Sequence, residues 1–299
     1  MKNYVKLFPL GLGLFLILPA AVRAQDVKAP TPLQIRVGDV SDTRSTSQDS
    51  GCQVELIFTG DVVQDAGNVR EVRITEATDE VGRNLVMRPD EDNNNNNFNR
   101  FNQFNNGRNP SAARRAEARL RNPSRNSATI KILKGEVVFF NPNEVNGGRL
   151  TLPGVLAHPA EPIQNPGLAK YGIQMMYLTK ATFEAKKKEL DAQGNGATDP
   201  KLGALREAFT GPFANGTMFT GQPNAVQLYV LDPDQRIVNL KFVDGQGKAV
   251  QSNGGWTSNN YRNFNFNTPP SADMQLVIEL ATPEALQPYP FSLENIPLP

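Results

Sequence analysis

A polar stretch between residues 252 and 267 holds an unusual group of aromatic residues. It contains Trp256, the only tryptophan of the chain, with Tyr261, Phe264 and Phe266 among Asn, Ser and Gly residues. Exposed aromatic rings can stack on sugars, while amides and a guanidinium such as Arg262 can hydrogen-bond to sugar hydroxyl groups. This pattern predicts a glycan-contacting surface formed by Trp256, Tyr261 and Arg262. The alternative is that Tyr261 and the two phenylalanines are strand residues that face the core.

The residue types that most catalytic and metal sites need are scarce. His158 is the single histidine and Cys52 the single cysteine. One histidine cannot form the multi-histidine sites that bind catalytic zinc or iron. A Ser–His–acid triad would have to use His158, and the G-x-S-x-G turn is missing. We expect Cys52 to be a small buried thiol, and we predict no metal site, no cofactor and a non-enzymatic protein.

Paired carboxylates are the catalytic chemistry that remains open, because two Asp or Glu residues suffice to hydrolyse a glycosidic bond. The candidates are Glu76 with Asp79, Glu144, and the two aspartates of the Asp-Pro-Asp sequence at 232–234. That last sequence is also typical of a β-turn. The alternative function is therefore an extracytoplasmic carboxylate-type hydrolase that acts on polysaccharide.

The first residues predict export. Lys2 and Lys6 precede an apolar run over residues 7–22, and Ala24 is the small residue expected at a cleavage point. The run is too short for a helix that remains in the membrane. We expect a signal peptide at residues 1–24 and a periplasmic or extracellular mature chain without a transmembrane segment.

The charge balance says which partners to expect. The chain has 31 basic and 30 acidic residues, a formal net charge of +1. A chain this close to neutral gives no reason to expect nucleic acid as a partner. The expected partners are a glycan or another envelope protein.

Apolar residues alternate with polar ones along much of the chain, which predicts short antiparallel strands packed as sandwiches. Helical periodicity is scarce, so the predicted class is mainly β, with two tandem lobes. The pattern resembles immunoglobulin-like modules of exported bacterial proteins, a likeness of fold that implies no function. The clearest alternating residues are Leu33, Ile35 and Val37; Val54, Leu56 and Phe58; Val226, Leu228 and Val230; and Leu276, Ile278 and Leu280.

Composition shifts divide the predicted lobes. The first lobe covers residues 25–152 and contains a disordered Asn- and Arg-rich loop at 88–126. Within that loop, the Asn-Pro pair at 109–110 can start a short helix that runs to Arg121. A Pro-rich linker follows at 153–166, and the second lobe covers 167–299 with a helical insertion at 181–211.

Similar turns support two related halves. Asp79 and Gly82 in the first half, and Asp244 and Gly247 in the second, have the spacing of a tight turn after a strand. The tail, residues 287–299, has apolar residues suited to pairing with an edge strand of its own chain or of a partner. The second possibility would make the protein a subunit of a larger envelope assembly.

Overall fold

The computed structural model describes residues 32–45, 50–65, 68–88, 114–193, 203–211 and 223–299. Within these ranges the protein is mainly β, as predicted. The strands are β1 (Gln34–Thr43), β2 (Gly51–Thr59), β3 (Asn68–Asp79), β4 (Arg114–Leu120), β5 (Thr129–Phe140), β6 (Arg149–Leu152), β7 (Gln174–Leu178), β8 (Ala225–Leu231), β9 (Ile237–Val243), β10 (Ala249–Val250), β11 (Ser252–Ser258), β12 (Tyr261–Phe266), β13 (Gln275–Leu280) and β14 (Leu286–Pro297). The α-helices are α1 (Asp61–Asp65), α2 (Pro166–Ala169), α3 (Lys180–Gln193) and α4 (Glu207–Thr210).

The strands form four antiparallel sheets. The first sheet has the order β1-β2-β4 and the second β14-β5-β3. The third has the order β10-β9-β13-β6 and the fourth β11-β12-β8-β7. The first and second sheets enclose one hydrophobic core, which we call the first core. The third and fourth enclose the second core, so the architecture is sandwich-like.

Period-two alternation builds both cores. Leu56 and Phe58 of β2 face Phe139 of β5, and the Phe58 and Phe139 rings meet edge to face with centroids 5.6 Å apart. In the second core, Phe242 of β9 meets Phe266 of β12 edge to face at 5.5 Å. Each of these strands thus turns an apolar face into the core between its two sheets, whereas β8 of the fourth sheet is buried on both faces.

The two sheet pairs exchange strands. β6 follows β5 in the chain, yet it pairs with β13 in the third sheet, with Leu152 opposite Leu276. β14 follows β13, yet it pairs with β5 in the second sheet from Leu286 opposite Phe140 to Pro297 opposite Thr129. β6, which follows the first five strands, is therefore the edge strand of the third sheet. β14, which follows β13, is the edge strand of the second sheet.

The chain crosses between the sheet pairs at two segments, 141–148 and 281–285, which contact each other. The Asn141 backbone N–H donates to the Ala285 carbonyl at 2.9 Å, and the Leu280 N–H donates to the Gly148 carbonyl at 2.7 Å. The buried Thr282 hydroxyl donates to the Asn146 carbonyl at 3.1 Å. A Cβ atom at Gly148 would lie 2.7 Å from the Ala285 Cβ, so this crossover requires glycine.

The two predicted turns are confirmed, and they share one geometry. The Asp79 Oδ1 accepts hydrogen bonds from the backbone N–H groups two and four residues later, at 3.2 and 2.7 Å. The Asp244 Oδ1 accepts the equivalent pair, both at 2.9 Å. Gly82 and Gly247 occupy the same turn position with φ angles of 86° and 81°, a backbone region that favours glycine.

The region expected as a disordered loop at 88–126 contains β4 in its described part. Arg114–Leu120 pairs antiparallel with β2 and buries Ala116, Ala118 and Leu120 on one face. The helix predicted to run to Arg121 is therefore wrong over these residues, because small apolar side chains at every second position fit a strand packed on the first core. Residues 89–113 lie outside the described ranges, as does the predicted signal peptide.

The strand exchange also corrects the expected lobe limits. β6 falls within 25–152 by sequence but packs in the second core, and β14 falls within 167–299 but packs in the first. The Pro-rich segment 153–166 is docked on the second sheet pair, because the Ile163 N–H donates to the Met175 carbonyl at 2.9 Å and Val155 is buried. The tail pairs with its own chain.

Strand exchange predicts that the halves stay together when the connection between them is cut. A site-specific protease sequence inserted at His158, whose side chain is 71% exposed, leaves β1–β6 on one fragment and β7–β14 on the other. We expect both fragments to co-elute in native size-exclusion chromatography and to separate only in denaturant. The uncleaved insertion variant is the control, and separate native peaks would contradict the exchange.

The Asp79 carboxylate should contribute to the stability of the fold in a way that is lost at acid pH. Burial alone would raise the pKa of Asp79, but the backbone N–H groups of Ser124 and Arg83 outweigh it and lower this pKa. Its contribution is therefore present above the unfolded-state pKa and is lost as pH falls through the folded-state pKa. Asp79→Asn should cost about 2 kcal/mol of unfolding free energy at neutral pH and flatten the acid limb of stability in urea titrations.

Asp244→Asn is the matched control, because its carboxylate makes the same turn but is not buried. It should cost about half as much or less. Equal losses for the two variants at all pH values would contradict a special role for the buried carboxylate.

Candidate functional site

The fourth sheet presents a second face to a helical layer. Its first face packs in the second core, and the other contacts α3, α4 and the 3-10 helix Gly203–Arg206. Phe183 of α3 and Phe209 of α4 stack with centroids 5.7 Å apart. Helices occur in the predicted insertion, and Leu205 and Phe209 are buried as their spacing indicated. We call this cluster the helical core; its buried members are Met176, Leu178, Phe183, Leu190, Leu205, Ala208, Phe209, Tyr229 and Tyr261.

Tyr261 is part of the helical core. It is 2% exposed, and its hydroxyl donates to the Ala208 carbonyl at 2.7 Å. Its ring meets the Tyr229 ring edge to face at 5.0 Å. Burial, with smaller contributions from Tyr229 and Glu207, raises the pKa of Tyr261 to about 12. The ring has no exposed face for a ligand, so we leave Tyr261 out of the candidate site.

Trp256 lies on β11, an edge strand of the fourth sheet. Its ring packs against the helical core and remains partly exposed, while the neighbouring Gly255 and Thr257 are exposed. Trp256 is directly opposite Asn263 of β12, so the two side chains share a sheet face. This placement gives Trp256 both a fixed position and a surface that a ligand can contact.

Arg262 lies on the opposite sheet face from Trp256, because neighbouring strand residues point in opposite directions. Its guanidinium donates to the Asn259 carbonyl at 2.6 Å and to the Tyr261 carbonyl at 3.0 Å. Burial lowers the pKa of Arg262. The structure therefore does not bring the three sequence-predicted residues together on one exposed surface.

A row of side chains across the fourth sheet brings other residues to Trp256. Asn263 is opposite Trp256 on one side and opposite Gln227 of β8 on the other. Asn265 lies on the same face, two residues along β12. We call Gln227, Asn263 and Asn265 the amide cluster. The sequence did not single these residues out, although the alternation of Asn263 and Asn265 with Phe264 and Phe266 placed the two asparagines on one face.

Gln227 and Asn263 of the amide cluster are buried and Asn265 is half-buried, and all three have unpaired side-chain atoms. Gln227 is 3% exposed and Asn263 4%. Among the described residues, no hydrogen-bond partner is present for Nε2 and Oε1 of Gln227 or for Oδ1 of Asn263 and of Asn265. Each unpaired buried group costs roughly 1–3 kcal/mol. Buried polar atoms normally find partners. In the described part of the chain Arg149 Nε and Arg206 Nε also lack one, so unpaired buried atoms are not confined to this sheet face.

The candidate carboxylates have separate structural partners. Glu76 accepts from Lys134 Nζ at 2.9 Å, and Glu144 accepts from the Thr151 hydroxyl at 3.4 Å. Asp232 accepts the backbone N–H groups of Arg236 and Ile237 at 2.9 and 2.7 Å, which closes the turn suggested by the Asp-Pro-Asp sequence. Glu76 thus joins two strands and Asp232 closes a turn, while the exposed Glu144 makes only this one long contact.

Cys52 lies in the first core, as expected. Burial, with a smaller contribution from Asp42, raises the pKa of its thiol to about 11. The thiol is therefore protonated at neutral pH, whereas a nucleophilic cysteine needs the thiolate. In the described part of the chain, no group of three or more His, Cys, Asp or Glu side chains is placed to hold a metal ion.

Because Tyr261 is buried, its substitution should change the stability of the fold and leave ligand binding unchanged. Tyr261→Phe removes the hydrogen bond that joins α4 to the sheet, so it should lower the free energy of unfolding by about 1 kcal/mol, measured in urea. Tyr229→Phe is the control, because that hydroxyl makes only a 3.3 Å contact with Asn260 Nδ2. An equal or larger loss for Tyr229→Phe would contradict this assignment.

The comparisons with known proteins give the chain no family. No helix among the described residues combines the length and the apolar character that crossing a membrane requires. The chain matches no protein-family model, no curated protein and no solved structure.

Proposed function

We propose that the protein is an exported, non-enzymatic binding protein that holds a neutral glycan at the Trp256 edge of the fourth sheet. The observation that carries this proposal is the position of the Trp256 ring. It is anchored on the helical core, partly exposed, and bordered by exposed polar and glycine residues of β11. A fixed aromatic face beside hydrogen-bonding groups is the arrangement by which proteins hold sugar rings.

The alternative, a carboxylate-type hydrolase, has less support. Glycoside hydrolysis needs one carboxyl group with a raised pKa to act as the acid. The pKa of Asp79 is lowered instead, because backbone N–H groups stabilise its charged form despite burial. Glu76 and Asp232 are held in an ion pair and a turn. Binding without catalysis is therefore the better supported proposal.

Export and partner remain parts of the proposal. The pattern of residues 1–24 supports a periplasmic or extracellular location, where neutral polysaccharides and other envelope proteins are available as partners. We also propose that the two halves are tandem copies of one immunoglobulin-like module. The shared turn geometry of Asp79 and Asp244 supports this duplication, as does the matching order β1-β2-β4 and β7-β8-β12 in the first and fourth sheets.

Trp256 is the only tryptophan of the chain, so its fluorescence reports the proposed site directly. We expect titration with a panel of neutral glucans and chitin oligosaccharides to change the emission saturably for at least one member. Trp256→Ala should weaken that binding at least tenfold by calorimetry. Tyr171→Ala is the aromatic control, because that partly exposed ring lies elsewhere, 5.0 Å from the Arg236 guanidinium. A panel that gives neither emission change nor binding heat would overturn the proposal.

A further inference from the structure

We infer that β11 is an interaction surface for a second copy of this chain, and that the β11 strands of two copies pair antiparallel about Gly255. In this pairing Trp256 of each copy lies opposite Gly254 of the other. The inference goes beyond the proposed function and does not depend on it, because it concerns the free backbone edge of β11 and needs no sugar ligand.

One side of β11 has no partner strand. β11 pairs with β12 from Ser252 opposite Phe266 to Ser258 opposite Tyr261. In the described part of the chain, no strand pairs with its other side. Residues 252–255 are exposed, so this side presents backbone N–H and C=O groups to solvent. Such an edge is a template on which a further strand can be added.

The other sheet edges of the described residues have features that hinder strand addition. β14 contains three prolines. β7 is covered by the segment 160–163, whose Ala160 and Ile163 N–H groups donate to the Tyr177 and Met175 carbonyls at 2.7 and 2.9 Å. β6 and β10 are only four and two residues long. β1, β3 and β4 carry several charged side chains, and β1 and β3 also contain register irregularities.

β11 differs from these edges because it has neither a charged residue nor a proline. Its seven residues are Ser, Asn, Gly, Gly, Trp, Thr and Ser. Its own irregularity lies at the start, between Ser252 and Gly254, and the register with β12 is regular from Gly254 to Ser258. A neutral, regular edge of this kind is suited to pairing with another strand.

The sequence of β11 is complementary to itself in one antiparallel register. Pairing about Gly255 places Trp256 opposite Gly254 of the other copy, and the next pair is Thr257 with Asn253. A Cβ atom at Gly254 would have no atom within 4 Å, so there is open space over this glycine. An aromatic side chain opposite a glycine in an edge strand covers the backbone that the glycine leaves exposed. The largest side chain of β11 thus meets a residue that has none.

The symmetry of this register favours a second copy over a strand of another protein. Pairing about a two-fold axis makes each contact twice and removes the free edge of both copies at once. The two fourth sheets then join into one continuous sheet. Since β11 carries no charge, it offers no charged group that would select a different partner.

Charges at positions 253 and 257 test the pairing and its register together. Asn253 and Thr257 are exposed, so their substitution leaves both cores intact. The double variant Asn253→Lys and Thr257→Lys puts like charges opposite each other at two places, so dimerisation should weaken at least tenfold in sedimentation-velocity runs over a concentration series. The matched double variant Asn253→Lys and Thr257→Glu puts opposite charges at the same places and should dimerise at least as tightly as the wild type.

The emission of Trp256 gives a second readout in the absence of sugar. It should move to shorter wavelength as the wild-type concentration rises, because the second copy covers the ring, and this shift should be lost in the variant with two lysines. Equal melting temperatures of the two double variants at a concentration where both are monomeric show that the fold is unchanged.

Two results would overturn the inference. A wild-type protein that is monomeric at every concentration would exclude pairing through β11, and a saturable response to the glycan panel in that case would leave the proposed function standing. Equal dimerisation of the two double variants would place the dimer contact elsewhere on the molecule. Conversely, a dimer that passes the charge test in a protein without any response to sugars would support the pairing and overturn only the proposed function.

Discussion

The reciprocal exchange of β6 and β14 is the constraint on which the rest of the structure depends. β14 covers the free edge of β5 along its whole length, and β6 covers the edge of β13. Both edges would otherwise expose unpaired backbone groups. The second core is built within residues 149–280, whereas the first core is complete only when β14 returns from the end of the chain. The crossover of 141–148 with 281–285 fixes this arrangement through backbone hydrogen bonds.

The second sheet pair contains elements that the first sheet pair does not have. The first sheet has three strands, whereas the fourth has four, with β11 at its edge next to β12. Helices α3 and α4 lie between β7 and β8, where the first pair has a short connection from β1 to β2. Both additions contribute to the same face of the fourth sheet, one with Trp256 and the other with the helical core. The candidate site therefore lies on β11 and beside the helices, which only the second sheet pair has.

Local patterns predicted the elements but not their partners. Alternation identified the strands around Val54 and Leu276, and the Asp–Gly spacing identified both turns, because these features depend on neighbouring residues. Pairing of the tail with an edge strand was predicted, but the particular edges that β6 and β14 join were not, since an alternating strand can pair with any free edge. β4 was missed because its inward residues include two alanines, which carry little hydrophobic signal. Burial of Tyr261, and of Gln227 beside it, depends on helices distant in sequence.

A designed disulfide between β5 and β14 tests the exchanged framework most directly. Lys134 and Ser292 are opposite each other in the register, and opposite residues have Cα separations within the range that a disulfide spans. In a chain carrying Cys52→Ala, the double variant Lys134→Cys and Ser292→Cys should oxidise to a single intrachain disulfide. Non-reducing electrophoresis and mass spectrometry should show a monomer with no free thiol. Free thiols after oxidation, or disulfide-linked dimers, would contradict the exchange of strands within one chain.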